Sequence, residues 1–396
     1  DIPGIDQIFA YGRASKAYKV VSSAAYNYDR QRVMSECYGA IKDMPIANLY
    51  KEAMDQFAKG INWMVPHAVW YNAESITFPP ELSYRNSFYG PALPEYNQFM
   101  ARLQHVLQHG RHVADIGVLY PIATLQAGYR FDVGVPYEGG IIPPEADYMD
   151  IGEMLSLQIR RDFTFVHPEV LDQTCVVQDV EILMNHPVNP ERYKVFILPG
   201  SKAISWSNLQ KIQQFYEQGG KVISTTCLPE KSTEFGKDAQ VQRAIAKIFG
   251  EPKQASENGS TPETHMNREG GKAYFLSHPT PESLKAVLDD ALAPYDVTFE
   301  DPNSIQGGNL SYIHKVVDER DVFFIANSSN TPVDCSVLLR DRLELEEWNP
   351  HTGQIQKADS SIGDENQGAG TRLHLVLPPV QSRFFVSRRT SQVIDQ

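Results

Sequence analysis

Glu36 sits in the run Val33-Met34-Ser35-Glu36-Cys37-Tyr38-Gly39, where a strand-like segment gives way to a helix-like one. About thirty residues on, Asn62-Trp63-Met64-Val65-Pro66-His67 ends in a histidine and opens into an aromatic loop. A carboxylate and a histidine at two consecutive strand ends are the placement that β/α barrels use for chemistry, which lies at the C-terminal ends of their strands. A glutamate in that setting acts as a catalytic carboxylate, or else it is a salt-bridged or capping residue. Glycoside hydrolysis calls for two carboxylates flanking the scissile bond, and Glu36 can supply one.

The loop after His67 has the second chemical signature. Trp63, Trp70, Tyr71, Phe78, Tyr84, Phe88, Tyr89 and Tyr96 are interleaved with Asn72, Glu74, Glu81, Arg85 and Asn86. Sugars present apolar C–H faces beside hydroxyl rims, so flat rings mixed with amide, carboxylate and guanidinium groups suit them. The same rings also serve as core packing. Tyr38, His67, Trp63, Trp70, Tyr71, Asn72 and Glu74 are the candidate sugar contacts, with His67 an orienting residue at its strand end.

The elements that position these residues follow from spacing. Residues 12–29 lack Pro and internal Gly after Gly12 and read as a helix, and residues 31–36 as a strand. Ile46, Leu49, Tyr50, Ala53, Met54 and Phe57 recur at helical spacing behind Pro45, and Gly60 stops that helix. Residues 61–67 form the next strand, 68–94 a long loop, and about 95–109 a helix. Residues 1–110 therefore read as the C-terminal part of a β/α barrel.

Residues 111–292 alternate apolar strands with helices, as in a parallel, doubly wound sheet. Tyr148 to Arg160 reads as an amphipathic helix, Tyr193 to Pro199 as a buried strand, and Ser205 as the cap of a helix that Gly219-Gly220 ends. Residues 252–272, rich in Gly, Ser, Thr and Pro, read as a loop. From 293 to 396 short strands alternate with turns, beginning with a hairpin about Asp318-Glu319-Arg320-Asp321, and predict a β-sandwich.

Composition sets the outer limits. A formal charge of -13 over 396 residues argues against nucleic acid or an anionic membrane as the main partner, and no apolar run is long enough for a membrane span. Cys37, Cys175, Cys227 and Cys335 are scattered without CxxC spacing, which suits neither a zinc site nor a disulfide framework. His105 and His109 stand four apart, but no HExxH glutamate accompanies them. Cys227 ends a strand without the glycines of a nucleophile elbow. No phosphate-binding glycine motif is present.

Several runs together resemble bacterial glycoside hydrolases of family 106, the α-L-rhamnosidase family, or a related β/α-barrel glycosidase. They are Met34 to Gly39, Gly60 to His67, Leu107 to Tyr120, Tyr193 to Pro199, Gly219 to Val222 and Trp348-Asn349-Pro350-His351-Thr352-Gly353. The resemblance implies the order barrel end, Rossmann-like (class I amidotransferase-like) α/β domain and β-sandwich. It implies Glu36 as general base of an inverting enzyme, or as nucleophile of a galactosidase-like retaining one. The general acid would then come from an earlier strand, so the partners implied are a carbohydrate substrate and the remaining N-terminal barrel portion of the same enzyme. Calcium assists some relatives, and no ligand set is assigned here. A secreted or periplasmic bacterial location is implied by resemblance only, and a homo-oligomer is left open. The competing readings are a non-catalytic carbohydrate-binding or scaffold portion, and a cysteine enzyme built on Cys227.

Overall fold

The protein is described by a computed structural model that covers residues 1–6, 18–39, 43–72, 74–128, 142–250, 262–363 and 370–388. It is a mixed α/β, multi-sheet protein. By internal contacts the chain divides into two compact units: Asp1–Ala25 with Arg30–Val113 and Tyr295–Gln396, and Tyr26–Asp29 with Ala114–Pro294.

In the first unit, β1 (Gly4–Asp6), β2 (Met34–Cys37) and β3 (Trp63–Pro66) form a parallel sheet in that order. Between them run α1 (Tyr18–Asn27) and α2 (Ile46–Phe57), and α3 (Leu93–Leu107) follows β3. The part of the expected 12–29 helix before Tyr18 lies outside the described residues. The apolar stripe of α2 does what its spacing promises: Leu49, Ala53, Met54 and Phe57 are buried. They pack with Cys37, Met64, Phe99 and Leu103 in one core.

That core extends into the chain's last hundred residues. A six-stranded sheet runs in the order Ile355–Lys357, Leu345–Trp348, Gln381–Ser387, Arg320–Asn327, Leu310–Val317, Arg111–His112, with antiparallel neighbours. A four-stranded antiparallel sheet shares a second core with it. The run Val322-Phe323-Phe324-Ile325-Ala326 is apolar throughout because both its faces are covered. Val322, Phe324 and Ala326 join the core of α2 and α3, while Phe323 and Ile325 join the core between the two sheets. Strand alternation divides one segment between two cores. The hairpin turn is shorter than the sequence suggests: Asp318 and Glu319 alone take positive φ (48° and 63°), and Arg320 and Asp321 are already paired.

The second unit holds five parallel strands and one antiparallel edge strand, ordered Glu263–Met266, Lys272–Leu276, Lys221–Thr225, Val195–Leu198, Ile116–Leu119, Thr164–Val166. Ser205 caps its helix as expected, accepting from the Asn208 N–H, and Gly219 ends that helix at φ 104°. Two elements depart from expectation. Tyr148–Glu153 is α-helical but continues as a π-helix over Met154–Ile159. Within the expected loop, Glu263–Met266 is instead the antiparallel edge strand, because Asn267 ties the turn by accepting from Gly271 N–H. Residues 251–261 lie outside the described residues.

Candidate active site

The parallel register of the three-stranded sheet fixes which side chains share a face. Asp6 lies beside Glu36, and Glu36 beside Val65; one layer toward the strands' N-terminal ends, Gly4 lies beside Met34 and Met34 beside Trp63. Strand alternation puts both rows on one face. The other face carries Ser35, Cys37 and Met64, all buried against the helices. The Glu36 face is the open one: Asp6 and Val65 are exposed and Glu36 is half-buried. Two carboxylates therefore stand on adjacent strands, about 5 Å apart at the backbone, at the strands' C-terminal end.

Asp6 escaped the sequence reading because a three-residue strand has no periodicity to detect. One signal was available: Asp6 precedes Glu36 by about thirty residues, as Glu36 precedes His67. Asp6 and Glu36 offer two hard oxygen donors, short of the roughly six to eight oxygens that calcium takes. No group of three or more potential ligand side chains converges among the described residues. Among the described residues, neither Asp6 with Glu36 nor His105 with His109 is joined by a third His, Cys, Asp or Glu side chain.

His67 extends the pairing, donating its backbone N–H to the Cys37 carbonyl at 2.8 Å. Its ring meets Trp70 edge to face, with centroids 5.7 Å apart. His67 Nδ1 and Trp70 Nε1 are both buried and find no hydrogen-bond partner among the described residues. Arg85 holds the loop in place, donating to the Trp70 carbonyl and pairing with buried Glu81 at 2.5 Å. The loop's arms are joined where Leu82 N–H donates to the Ala68 carbonyl at 2.9 Å. At its tip Tyr71 is fully exposed, and Asn72 Oδ1 accepts from Glu74 N–H at 3.0 Å, leaving both polar side chains in solvent.

Two expected sugar contacts are placed differently. Tyr38 is completely buried, so it is corrected to a core residue. It has the same parity as Glu36 and would share its face if β2 continued, but φ 73° at Tyr38 ends the strand and turns the ring inward. Its hydroxyl donates to the Leu49 carbonyl at 2.9 Å and meets the Tyr96 hydroxyl at 2.6 Å, and burial pushes its ionisation well above the usual range. Trp63 shares the Glu36 face but lies a layer deeper, under the Arg32 guanidinium at 5.2 Å from the ring centroid. Cys37, next to Glu36, faces the core, and burial pushes its thiol up.

In the second unit, Thr226 rather than Cys227 takes the positive φ of 56°, and its hydroxyl donates to Asp147 at 2.7 Å. Burial pushes the Cys227 thiol up, away from the thiolate that a nucleophile needs.

The chain belongs to the α-L-rhamnosidase family of glycoside hydrolases, family 106, whose model matches residues 148–362, more than half of the 396. It is 24% identical over 391 residues to a protein of Formosa agariphila described as a "Putative beta-glucuronidase", covering 96% of this chain and 29% of that protein. Among solved structures, a rhamnosidase from Novosphingobium sp. PP1Y superposes with TM-score 0.71 at 17% identity, over 99% of this chain and 35% of that one. A catalytic mutant of a GH42 β-galactosidase from G. stearothermophilus gives TM-score 0.61 at 12% identity, over 98% and 59%. At these identities the structural likeness speaks for the fold alone. The chain spans about a third of the length of the first two relatives.

Proposed function

We propose that this chain is the C-terminal portion of an α-L-rhamnosidase-like glycosidase. In this reading β1 to α3 close a β/α barrel, the parallel sheet is a Rossmann-like domain of class I amidotransferase type, and the paired antiparallel sheets are a β-sandwich. Glu36 acts as general base on water, or as nucleophile if the enzyme retains configuration. Asp6 stands beside it, and His67, Trp70, Tyr71, Asn72 and Glu74 line the sugar side. The general acid comes from the rest of the barrel.

The observation that carries this reading is the Asp6–Glu36 row on the open face at the strand ends. His67 Nδ1 and Trp70 Nε1, without partners among the described residues, support it, because buried polar groups without partners are rare and cluster where a ligand supplies the missing bond. Family membership supplies the reaction class.

The test is Glu36→Gln in the full-length enzyme on an aryl α-L-rhamnoside. Loss of a positioned general base lowers turnover by roughly 10²–10⁴-fold. Turnover within a factor of about three of wild type would remove Glu36 from the mechanism.

A further inference from the structure

Far along the chain from the strand-end site, α3 and the six-stranded sheet flank two adjoining half-open cavities of about 310 and 220 Å³. Trp348, His105 and Val106 line both. We infer that this groove is a second saccharide-binding site, taking one pyranose unit against the Trp348 indole. The inference does not depend on the role of Glu36.

The indole is fixed before any ligand arrives. Its Nε1 donates to Glu346 at 3.1 Å, Arg320 lies over its ring at 5.3 Å from the centroid, and Arg320 pairs with the same Glu346 at 3.2 Å. The one polar group of Trp348 is therefore spent, and the side chain offers rigid, flat, apolar surface at little ordering cost. Arg320 covers one face. It lines the larger cavity but not the smaller, and Trp348 borders both.

Around this floor stand hydrogen-bonding groups of both kinds. Exposed His109 has its Nδ1 on the His105 carbonyl at 2.7 Å, which makes Nδ1 the donor and leaves Nε2 for a further hydrogen bond. Asp318 lines the larger cavity, and the Gln354 amide and Arg102 the smaller. Arg102 is held rigid by the Pro350 and His351 carbonyls at 2.9 and 3.0 Å. An apolar floor with a polar rim of this size is too short for a peptide helix or a lipid tail. It matches a ring with a C–H face and hydroxyl edges, near the lower limit of small-ligand sites.

The experiment is ¹⁹F NMR of the full-length protein labelled with 5-fluorotryptophan. The Trp348 resonance is assigned by its disappearance in Trp348→Phe. Methyl α-L-rhamnopyranoside and methyl β-D-glucuronide are the probes, a neutral and an acidic pyranoside. A saturable millimolar shift of that resonance with either probe supports the site. His105→Glu with His109→Glu, at exposed positions that spare the core, should weaken the shift roughly threefold or more. The shift should persist in Glu36→Gln. No movement with either probe overturns the inference, and so does a shift that Glu36→Gln abolishes, because Trp348 would then report only the strand-end site.

Discussion

Replacing Lys315 by Met should make the protein more stable, and the gain should depend on pH in a defined way. Lys315 is fully buried in the strand Leu310–Val317, and its ammonium donates to the Leu107 carbonyl at 2.7 Å. Burial lowers its ionisation from 10.5 to about 7. Below pH 7 the lysine is charged in both folded and unfolded chains, so the full cost of burying the charge is present. Between 7 and 10.5 the unfolded chain holds a proton that the folded one has shed, and stability rises with pH. A shift of that size corresponds to about 5 kcal/mol of opposition below pH 7. Methionine forfeits the bond to Leu107, about 1–3 kcal/mol. Asn62 Nδ2 also reaches that carbonyl, at 3.4 Å. The expected net gain at pH 6 is about 2–4 kcal/mol.

The neighbouring residue makes the test sharper. His314, between Asp296 and Asp321 at 3.1 Å, is pushed up from 6.5 to about 9 against the opposing effect of burial. Its stabilisation is complete below pH 6.5 and is lost as pH rises through 9, the reverse of the lysine. Wild type should therefore show a flat profile between pH 7 and 9. Lys315→Met should lose up to about 3 kcal/mol over the same window. Urea unfolding across pH 6–9 measures both. A variant less stable than wild type at pH 6, or a pair of parallel profiles, would refute the reasoning.

Other substitutions separate structural from functional roles. Tyr71→Ala, at a fully exposed ring, should raise KM several-fold in the full-length enzyme at unchanged melting temperature. Tyr38→Phe should do the opposite, costing about 1–2 kcal/mol in stability and leaving KM alone, since it removes two buried hydroxyl contacts. Gly353→Ala should destabilise by about 1–2 kcal/mol in thermal melts, because φ is 80° and the new methyl carbon would lie 3.1 Å from the Arg102 guanidinium.

What the sequence disclosed depended on how long its signals were. The twelve-residue α2 shows its buried stripe plainly, and the position of Glu36 at a strand end follows from the helix after it. Asp6 was hidden because three residues carry no pattern. Tyr38 was misjudged because strand parity stops predicting direction once a backbone angle turns positive, and nothing in Cys37-Tyr38-Gly39 announces which residue will do so. Trp63 falls within the strand expected over 61–67, but its depth is visible only with the pairing register. Val322 to Asn327 reads as a strand from composition, yet the division of Arg320–Asn327 between two cores is a tertiary fact.

The discontinuous make-up of the first unit bears on how this chain can be made. Its early strands and helices leave the ribosome without Ile313, Val322, Phe324, Phe384 and Val386, which complete their core. About 180 residues of the other unit must be translated in between, a delay of roughly ten to forty seconds at common elongation rates. During that interval α2 and α3 lack the part of their native cover that those later strands supply. The intervening unit, continuous apart from four residues, can meanwhile assemble as it emerges. Synthesis order thus sets a waiting time that chaperone demand, rather than final stability, should register.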